Sequence, residues 1–474
     1  MSEAIVVGAG PNGLAAAVTL ARQGLSVTVL EAAEEIGGGT ATSELTVPGV
    51  LHDHCSAVHP MGAGSPFLRS LDLERYGAEW LWPEIDVAHP LDSGRAGVQV
   101  RSVAETADGL GDDGPAWDGL FGPLVSGIDG LVEDLLRPVT HVPGYPVRLV
   151  RFGLRAVQPA SVIARRWKTD EARALFAGVA AHVFHPLTRP VSSSVGLIMT
   201  AVGHRFGWPV VRGGSRMVTD ALAAMLTETG GTIETGVRVR SLDELPPAKA
   251  VLLDLTPSAA ATVLGDRLPG HVRRSYARFR HAPGAFKVDL AVEGGVPWRN
   301  EACRKAGTVH VGGTFEEVAA AERDINRGRM PERPFVLVAQ QHLADPGRSS
   351  GSLHPVWAYA QVPNGYTGDA TGAVLDRIER FAPGLRDRVV ACSVRSPADL
   401  QRANPNYLGG DIITGANTAL QVAMRPRVAV DPYSTGVPGV FLCSAATPPG
   451  AGVHGMCGFN AAQSALRSLA RRQR

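Results

Sequence analysis

The order of apolar and polar positions at the start of the chain predicts a strand, a turn, a helix and a second strand. Residues 4–7 (AIVV) are wholly apolar, as in a strand buried on both faces of a parallel sheet. Residues 14–24 (LAAAVTLARQG) repeat apolar side chains with the period of a helix, and residues 26–30 (SVTVL) again favour a strand. This order is typical of a nucleotide-binding β-α-β unit.

The turn between the first strand and the helix has the pattern G-x-G-x-x-G, in residues 8–13 (GAGPNG). Gly8 permits the tight turn, Gly10 lacks the Cβ that would keep a pyrophosphate away, and Gly13 lets helix and strand pack closely. The helix N-terminus offers unpaired N–H groups and a partial positive charge to an anion. We therefore predict that these glycines, with Pro11 and Asn12, contact a dinucleotide.

The second strand ends in Glu31, eighteen residues after Gly13. A carboxylate at this place accepts hydrogen bonds from ribose hydroxyls and disfavours the 2′-phosphate of NADP. A glycine pattern of this kind also occurs in ordinary loops. Because strand, helix, second strand and acid all have the expected spacing, dinucleotide binding is the favoured interpretation.

A second glycine turn, residues 36–42 (IGGGTAT), follows directly. It resembles the GG motif of FAD enzymes, a large group that includes amine oxidases and phytoene desaturases. The resemblance implies that this turn closes over the FAD diphosphate from the other side, through Gly37, Gly38, Gly39 and Thr40. The usual pattern places an arginine after the GG pair, whereas this chain has Gly39 or Thr40 there.

The C-terminal part of the chain contains a buried strand, a glycine-rich loop and a helix (PGVFLC at 438–443, then TPPGAGVHGMCGFNAAQSAL). It resembles the FAD-family segment whose loop meets the flavin and whose helix N-terminus faces the flavin O2. The resemblance implies cofactor contacts at Gly450, Gly452, Val453 and Gly455. His454 in this loop is a candidate to donate a hydrogen bond to the flavin, to move a proton, or to cap the helix.

Further likeness extends over most of the chain. Residues 210–239 resemble the family's middle segment, in which Val239 falls where a backbone edge meets adenine. The blocks 48–60, 354–365 and 396–412 resemble the phytoene desaturase-like branch. Because that branch includes desaturases, isomerases, saturases and ketolases, the likeness does not define the substrate.

The resemblance implies an α/β fold with a Rossmann-like, glutathione-reductase-like FAD-binding domain and a discontinuous α+β substrate domain that carries a mixed sheet. A chain of 474 residues is long enough for two domains. We predict that the FAD-binding domain consists of residues 1–70, 205–275 and 425–474. The substrate domain would consist of residues 71–204 and 276–424.

Two predicted strands supply candidate substrate and catalytic residues. In residues 355–363, Trp357, Tyr359 and Gln361 share one face by the period of two, where they either line a flat apolar cavity or pack in the core. Lys287 lies within the apolar run AFKVDLAV, residues 285–292. That strand resembles the amine-oxidase strand whose lysine holds a water at flavin N5; the alternative is a lysine that snorkels to solvent.

The histidines near the second glycine turn have two interpretations. His52, Asp53, His54 and His59 are close in sequence, but an H-x-H pair on a strand lacks the remaining ligands of a metal site, so no metal is predicted. His59 is instead a candidate substrate contact in a flavin-side loop. The five cysteines form no C-x-x-C pair, and Cys457 is either a covalent flavin attachment point or, more commonly, a free buried thiol.

Charge and composition limit the partners. A net charge of +1 gives no general attraction to nucleic acid. Residues 148–168 carry six basic and no acidic side chains among apolar ones, which favours either peripheral contact with an anionic membrane or a solvated helix. With no signal peptide pattern at the N-terminus, we expect a cytoplasmic protein.

These patterns and the resemblance together predict an FAD-dependent oxidoreductase that removes a hydride from a small, largely apolar organic substrate in C–C desaturation or oxidation. No second G-x-G-x-x-G turn for NAD(P)H follows a strand, so the expected electron acceptor is O2, a quinone or another external oxidant. A flavin amine oxidase is one alternative. A non-redox flavin-dependent isomerase or an FAD-containing binding protein is another.

Overall fold

The computed structural model describes residues 2–472 and contains two large sheets with helices on both. The strands of the described residues are β1 Ala4–Val7, β2 Val27–Leu30, β3 Thr42–Glu44, β4 Leu51–Asp53, β5 Trp80–Leu81, β6 Ile85–Pro90, β7 Ala96–Gln99, β8 Val210–Val211, β9 Thr232–Glu234, β10 Ala250–Leu253, β11 Gly284–Glu293, β12 Ala306–Val311, β13 Val336–Ala339, β14 Leu353–Val362, β15 Val389–Arg395 and β16 Val440–Leu442.

The α-helices of the described residues are α1 Pro11–Ala21, α2 Pro60–Ala63, α3 Pro66–Arg69, α4 Val103–Gly109, α5 Gly114–Val125, α6 Ile128–Leu135, α7 Pro146–Ala156, α8 Ala160–Ile163, α9 Asp170–Ala180, α10 Ser193–Phe206, α11 Arg216–Glu228, α12 Pro257–Leu264, α13 Gly270–Ala277, α14 Glu301–Lys305, α15 Phe315–Ile325, α16 Thr371–Glu379, α17 Leu385–Arg388, α18 Pro397–Ala403, α19 Ala419–Ala423 and α20 Met456–Arg472.

The first sheet is parallel and has the order β16-β10-β1-β2-β9. The predicted strands 4–7 and 26–30 are confirmed, and every residue of the central strand β1 is buried. Helices α1 and α20 cross on one face of this sheet. They approach so closely that an ideal Cβ on Gly458 would lie 1.8 Å from the carbonyl oxygen of Asn12. The first and last parts of the chain therefore meet in one layer.

The second sheet is mixed and has the order β15-β11-β14-β13-β12-β6-β7. The predicted strands 285–292 and 355–363 are confirmed as β11 and β14, which pair antiparallel with Lys287 opposite Tyr359 and Asp289 opposite Trp357. One face of the sheet is apolar and packs under α14, α16 and α17. The other face carries the polar and aromatic side chains and is turned toward the rest of the molecule.

The two sheets draw on different parts of the chain. All strands of the parallel sheet lie within residues 1–70, 205–275 and 425–474, and all strands of the mixed sheet lie within residues 71–204 and 276–424. Helices α9 and α10 pack beside the polar face of the mixed sheet. Within residues 2–472 the structure contains no helix that is both long and apolar enough to cross a bilayer.

Candidate functional site

A continuous cavity of about 1730 Å³ lies between the two sheets. Its wall includes the first glycine turn, residues 54–62, the aromatic face of the mixed sheet and the loop before α20. Pockets for one drug-sized ligand measure roughly 300–1,000 Å³. The cavity is therefore large enough to hold a dinucleotide and a second molecule.

The first glycine turn is built as its sequence predicts. An ideal Cβ on Gly13 would lie 2.0 Å from the carbonyl oxygen of Gly8, so only glycine allows this approach of helix to strand. Gly8, Gly10, Pro11 and Asn12 line the cavity, and α1 begins there at Pro11. The amide Oδ1 of Asn12 is buried without a partner among the described residues. This open helix end fits the diphosphate of FAD.

Glu31 also lies at the cavity, and its carboxylate holds the turn in place. Oε2 accepts the N–H of Ala9 at 2.6 Å, and Oε1 accepts the N–H of Ala33 at 2.9 Å. Val239 lines the cavity from an irregular segment that follows β9. Neither the N–H nor the carbonyl of Val239 bonds to another described residue. Both residues thus face the space in which they are predicted to contact the nucleotide.

The second glycine turn rests directly on the first. An ideal Cβ on Gly38 would lie 3.3 Å from the Cα of Gly10, and Gly37 and Gly38 both have positive φ angles, of 119° and 54°. Gly38 and Gly39 line the cavity. Thr40 is fully buried behind the turn, where its hydroxyl donates to the carbonyl of Gly37 at 2.7 Å.

The arginine of the usual motif has no room at Gly39. An ideal Cβ on this residue would lie 2.2 Å from the hydroxyl oxygen of Tyr407, which also lines the cavity. Tyr407 is far from Gly39 in sequence and lies in the segment after α18. The departure from the motif is therefore matched by a partly buried tyrosine, whose hydroxyl stands where a side chain at Gly39 would begin.

The loop before α20 forms another part of the cavity wall. Gly450, Gly452 and Gly455 have positive φ angles of 115°, 131° and 67°, and Gly452, Val453 and His454 line the cavity. The imidazole Nδ1 of His454 accepts the N–H of Met456 at 3.1 Å, so this residue caps α20. Burial lowers the pKa of His454 to about 4, and the ring is neutral at pH 7.

Of the three candidate substrate residues on the polar face of the mixed sheet, two line the cavity and one does not. Trp357 and Tyr359 line the cavity. Gln361 is turned away, because its amide donates to the carbonyl of Ala181 at 2.9 Å and it is 1% exposed. These positions follow from the period of two, which puts all three side chains on one face, and from α9, whose C-terminus covers the end of β14.

Lys287 lies beneath the cavity wall. Its ammonium forms a buried ion pair with Asp289, two residues along β11, and lies 5.3 Å from the ring centre of Trp357. His52 approaches the same carboxylate at 3.6 Å. Burial lowers the pKa of Lys287, and Asp289 opposes this effect. The lysine is 2% exposed and does not snorkel to bulk solvent, and the neighbouring Trp357 lies between its ammonium and the cavity.

His59 lines the cavity, with its Nε2 2.9 Å from the hydroxyl of Ser215 and its ring tilted against Trp80. Burial lowers the pKa of His59 to about 4. Asp53 pairs with Arg348 instead of with the neighbouring histidines. No group of three or more possible metal ligands occurs in the described chain.

The cysteines are all unpaired. Cys457 is buried in the first turn of α20, and its thiol lies 3.3 Å from the carbonyl oxygen of Gly450. Burial raises the pKa of Cys457 to about 12, so the thiol is protonated at pH 7.

Asp254 is a cavity residue that our sequence analysis missed. It directly follows β10, and its Oδ2 accepts the N–H of Gly13 at 2.9 Å, in the middle of the nucleotide-binding turn. Burial, assisted by the nearby Glu31, raises the pKa of Asp254 to about 7. The signal was present in the sequence, because an acid directly after the buried run AVLL stands at the carboxyl end of a strand, where open α/β sheets bind ligands.

Comparisons with known proteins agree with this geometry. Residues 6–71 match the NAD(P)-binding Rossmann-like domain family. The chain is 24% identical to pyridine nucleotide-disulfide oxidoreductase domain-containing protein 2 of Rattus norvegicus, over 98% of this chain and 94% of the relative. It is 24% identical to the neurosporene-forming phytoene desaturase of Rhodobacter capsulatus, over 97% and 92%.

Among solved structures, putrescine oxidase bound to putrescine has the same fold. It superposes with a TM-score of 0.61 at 18% identity, and the match covers 100% of this chain and 99% of that one. The two-sheet fold, the nucleotide-binding turn and the relatives together place the chain in the superfamily of FAD-dependent oxidoreductases.

Proposed function

We propose that this oxidoreductase acts on a small, largely apolar organic substrate by C–C desaturation or oxidation. The observation that carries the proposal is the continuity of the cavity, which runs from the nucleotide-binding turns to a compartment walled by apolar side chains. That compartment is lined by Leu149, Phe152, Ile198, Met199, Leu337 and Trp357. A wall of this kind excludes water and favours an apolar ligand.

FAD, when bound, supplies the electron chemistry, because its flavin accepts a hydride and passes the electrons to an external oxidant such as O2 or a quinone. The residues of this chain bind the cofactor and the substrate and orient them. The two glycine turns and Val239 would hold the nucleotide, and His454 and the neighbouring loop would meet the flavin. Lys287, paired with Asp289, would support the ring of Trp357 from behind.

The test is anaerobic reduction of the purified holoprotein by panels of polyenes, alcohols and amines. We expect an apolar substrate to bleach the oxidised flavin band stoichiometrically, and air to restore it. Leu337→Trp narrows the compartment by adding a large ring to its wall, and we expect it to reduce the bleaching of the flavin by the substrate. Leu343→Trp, outside the cavity, should leave the bleaching unchanged. A holoprotein that no compound in the three panels reduces would refute the proposal.

An amine oxidase is the second candidate, favoured by one observation. Trp357 and Tyr359 stand side by side on the cavity wall with ring centres 5.2 Å apart, and aromatic faces attract cationic amines. The same panels separate the two activities, because amines alone would then bleach the flavin and release hydrogen peroxide on reoxidation.

We also propose that the protein works in the cytoplasm and touches anionic membrane surfaces through α7. Three apolar side chains of this helix are strongly exposed: Val147 (63%), Val150 (60%) and Leu154 (66%). Three arginines alternate with them: Arg148, Arg151 and Arg155. Leu149 and Phe152 of the same helix line the cavity, so a bilayer at α7 would lie at its entrance.

Flotation with phosphatidylglycerol vesicles tests this contact. We expect the holoprotein to bind at low salt and to be released by changing the three arginines of α7 to glutamate. The matched control makes the same three changes at a different helix, at Arg273 and Arg274 of α13 and at Arg278, which directly follows it. Equal loss of binding in both triple variants would refute a role for α7.

A further inference from the structure

Three histidines from different parts of the fold, two fully buried and one partly buried, meet beside the cavity. His182 follows α9 and lines the cavity, His310 lies on β12, and His89 lies on β6. The Nε2 atoms of His182 and His310 are 3.0 Å apart, and the ring centres of His310 and His89 are 6.5 Å apart. His310 and His89 are fully buried, so His182 is the member of this cluster that a ligand can reach.

Burial lowers the pKa of all three imidazoles, so each is neutral at pH 7 and carries one N–H. The Nε2 of His89 lies 2.7 Å from the carbonyl oxygen of Gly313, which can only accept. His89 therefore carries its proton on Nε2 and presents a lone pair at Nδ1.

The orientation of His310 follows from Gly178 on α9. The Nδ1 atoms of His310 and His89 each lie 2.7 Å from the place that a Cβ on this glycine would occupy, so the two nitrogens face the same small gap. Neither nitrogen is hydrogen-bonded to any described residue, and the two are not hydrogen-bonded to each other. Lone pairs on both nitrogens would repel across this gap, whereas an N–H on the Nδ1 of His310 brings a partial positive charge into the gap that holds the lone pair of His89.

The proton on the Nδ1 of His310 leaves its Nε2 as an acceptor. His182 must then donate its own Nε2 proton across the 3.0 Å contact. That leaves the Nδ1 of His182 with a lone pair, and within the described residues the imidazole of His182 is hydrogen-bonded through Nε2 alone. In the same wall, Thr308 presents a fully buried hydroxyl that also has no partner in the described chain.

We propose that His182 is a substrate-binding residue whose Nδ1 is held as a hydrogen-bond acceptor, and that the substrate carries a hydroxyl or N–H group on its otherwise apolar frame. His310 and His89 are positioning residues that set the tautomer of His182. The proposal rests on the proposed function, because it describes the substrate of the same cavity.

Calorimetry with two isomeric probes tests the binding role. Oxidised holoenzyme is titrated with n-octanol, which donates a hydrogen bond, and with methyl heptyl ether, which has the same atoms and no donor. We expect octanol to bind about fivefold more tightly, the effect of one net hydrogen bond. His182→Phe should abolish the preference, whereas the matched control His185→Phe, outside the cavity wall, should keep it. Equal affinities in the wild type overturn the proposal.

Histidine-selective nitrogen NMR of the holoenzyme tests the tautomer chain independently of any ligand. We expect a lone-pair nitrogen at Nδ1 of His182 and a protonated Nε2, assigned by comparison with His182→Phe. Gly178→Ala, which forces a methyl group between two rings, and His310→Phe should each disturb this state. A proton on Nδ1 in the wild type, or an unchanged His182 signal in both variants, overturns the positioning role.

The flavin spectrum separates this inference from the proposed function. If the protein reconstitutes with FAD and is reduced by an apolar compound but binds both probes equally, only the proposed role of His182 is refuted. If the protein binds octanol preferentially but no compound in the panels reduces its flavin, the binding role of His182 stands and the proposed reaction is refuted.

Discussion

Replacing Asp254 by asparagine tests a buried carboxyl group whose pKa is raised within the nucleotide site. The carboxylate is 8% exposed and accepts the N–H of Gly13, while Glu31 lies nearby. Asparagine keeps a carbonyl oxygen for the N–H of Gly13 and removes the charge. We expect Asp254→Asn to stabilise the apoprotein above pH 7 and to strengthen its binding of FAD there, because the diphosphate then meets no neighbouring carboxylate.

The magnitude follows from the pKa. Burial raises the pKa of Asp254 from 3.8 to about 7, and each pKa unit corresponds to about 1.4 kcal/mol. The folded state holds this proton more tightly than the unfolded state, so the wild type loses stability as the pH rises from about 4 to 7 and no further above that. The free energy of unfolding of the variant should therefore exceed that of the wild type by up to about 4 kcal/mol at pH 8 and by almost nothing at pH 4.

Urea unfolding of both apoproteins at pH 4.5 and pH 8, with FAD titrations at the same pH values, measures this. Asp266→Asn is the matched control, because Asp266 is fully exposed and should change neither quantity. A stability difference that does not grow with pH, or FAD affinities that respond to pH in the same way in variant and wild type, would show that Asp254 is not charged next to the turn.

Three other substitutions test the site. Gly10→Val should abolish FAD retention, measured by the flavin spectrum after gel filtration, because methyl groups would stand where the diphosphate approaches; full retention would contradict the proposed turn. Gly39→Arg should lower the melting temperature because Tyr407 fills that space, and adding Tyr407→Ala should restore most of the loss, whereas no rescue would contradict the clash. Lys287→Met should reduce the free energy of unfolding by about 3–5 kcal/mol because the buried carboxylate of Asp289 loses the ammonium that balances its charge. Lys287→Met with Asp289→Leu should recover most of this loss in urea unfolding, and a double variant as unstable as the single one would show that the charge is not the cause.

The parts of the fold that depend on short stretches of sequence were predictable. The strand of residues 4–7, the glycine turn after it and the strands of residues 285–292 and 355–363 depend on neighbours within a few residues, where pattern and backbone geometry act directly. The same period also places Asp289 on the face of Lys287, so their ion pair was open to prediction.

The parts that depend on distant contacts were not predictable. Nothing near Gly39 indicates that Tyr407 will occupy the place of the usual arginine, because the two residues come together only when the two sheets dock. The histidine chain is hidden for the same reason, since His89, His182 and His310 lie on three separate elements. Local patterns describe strands and turns, but the chemistry of a cavity wall arises from packing.

The close crossing of α1 and α20 has a consequence for how the protein acquires its cofactor. Residues 8–13 are synthesised well before the helix that packs against α1, which comes from residues 456–472. During synthesis the first glycine turn lacks this neighbouring helix until residues 456–472 have been made. Loading with FAD is therefore expected to be completed only once residues 456–472 have packed against α1.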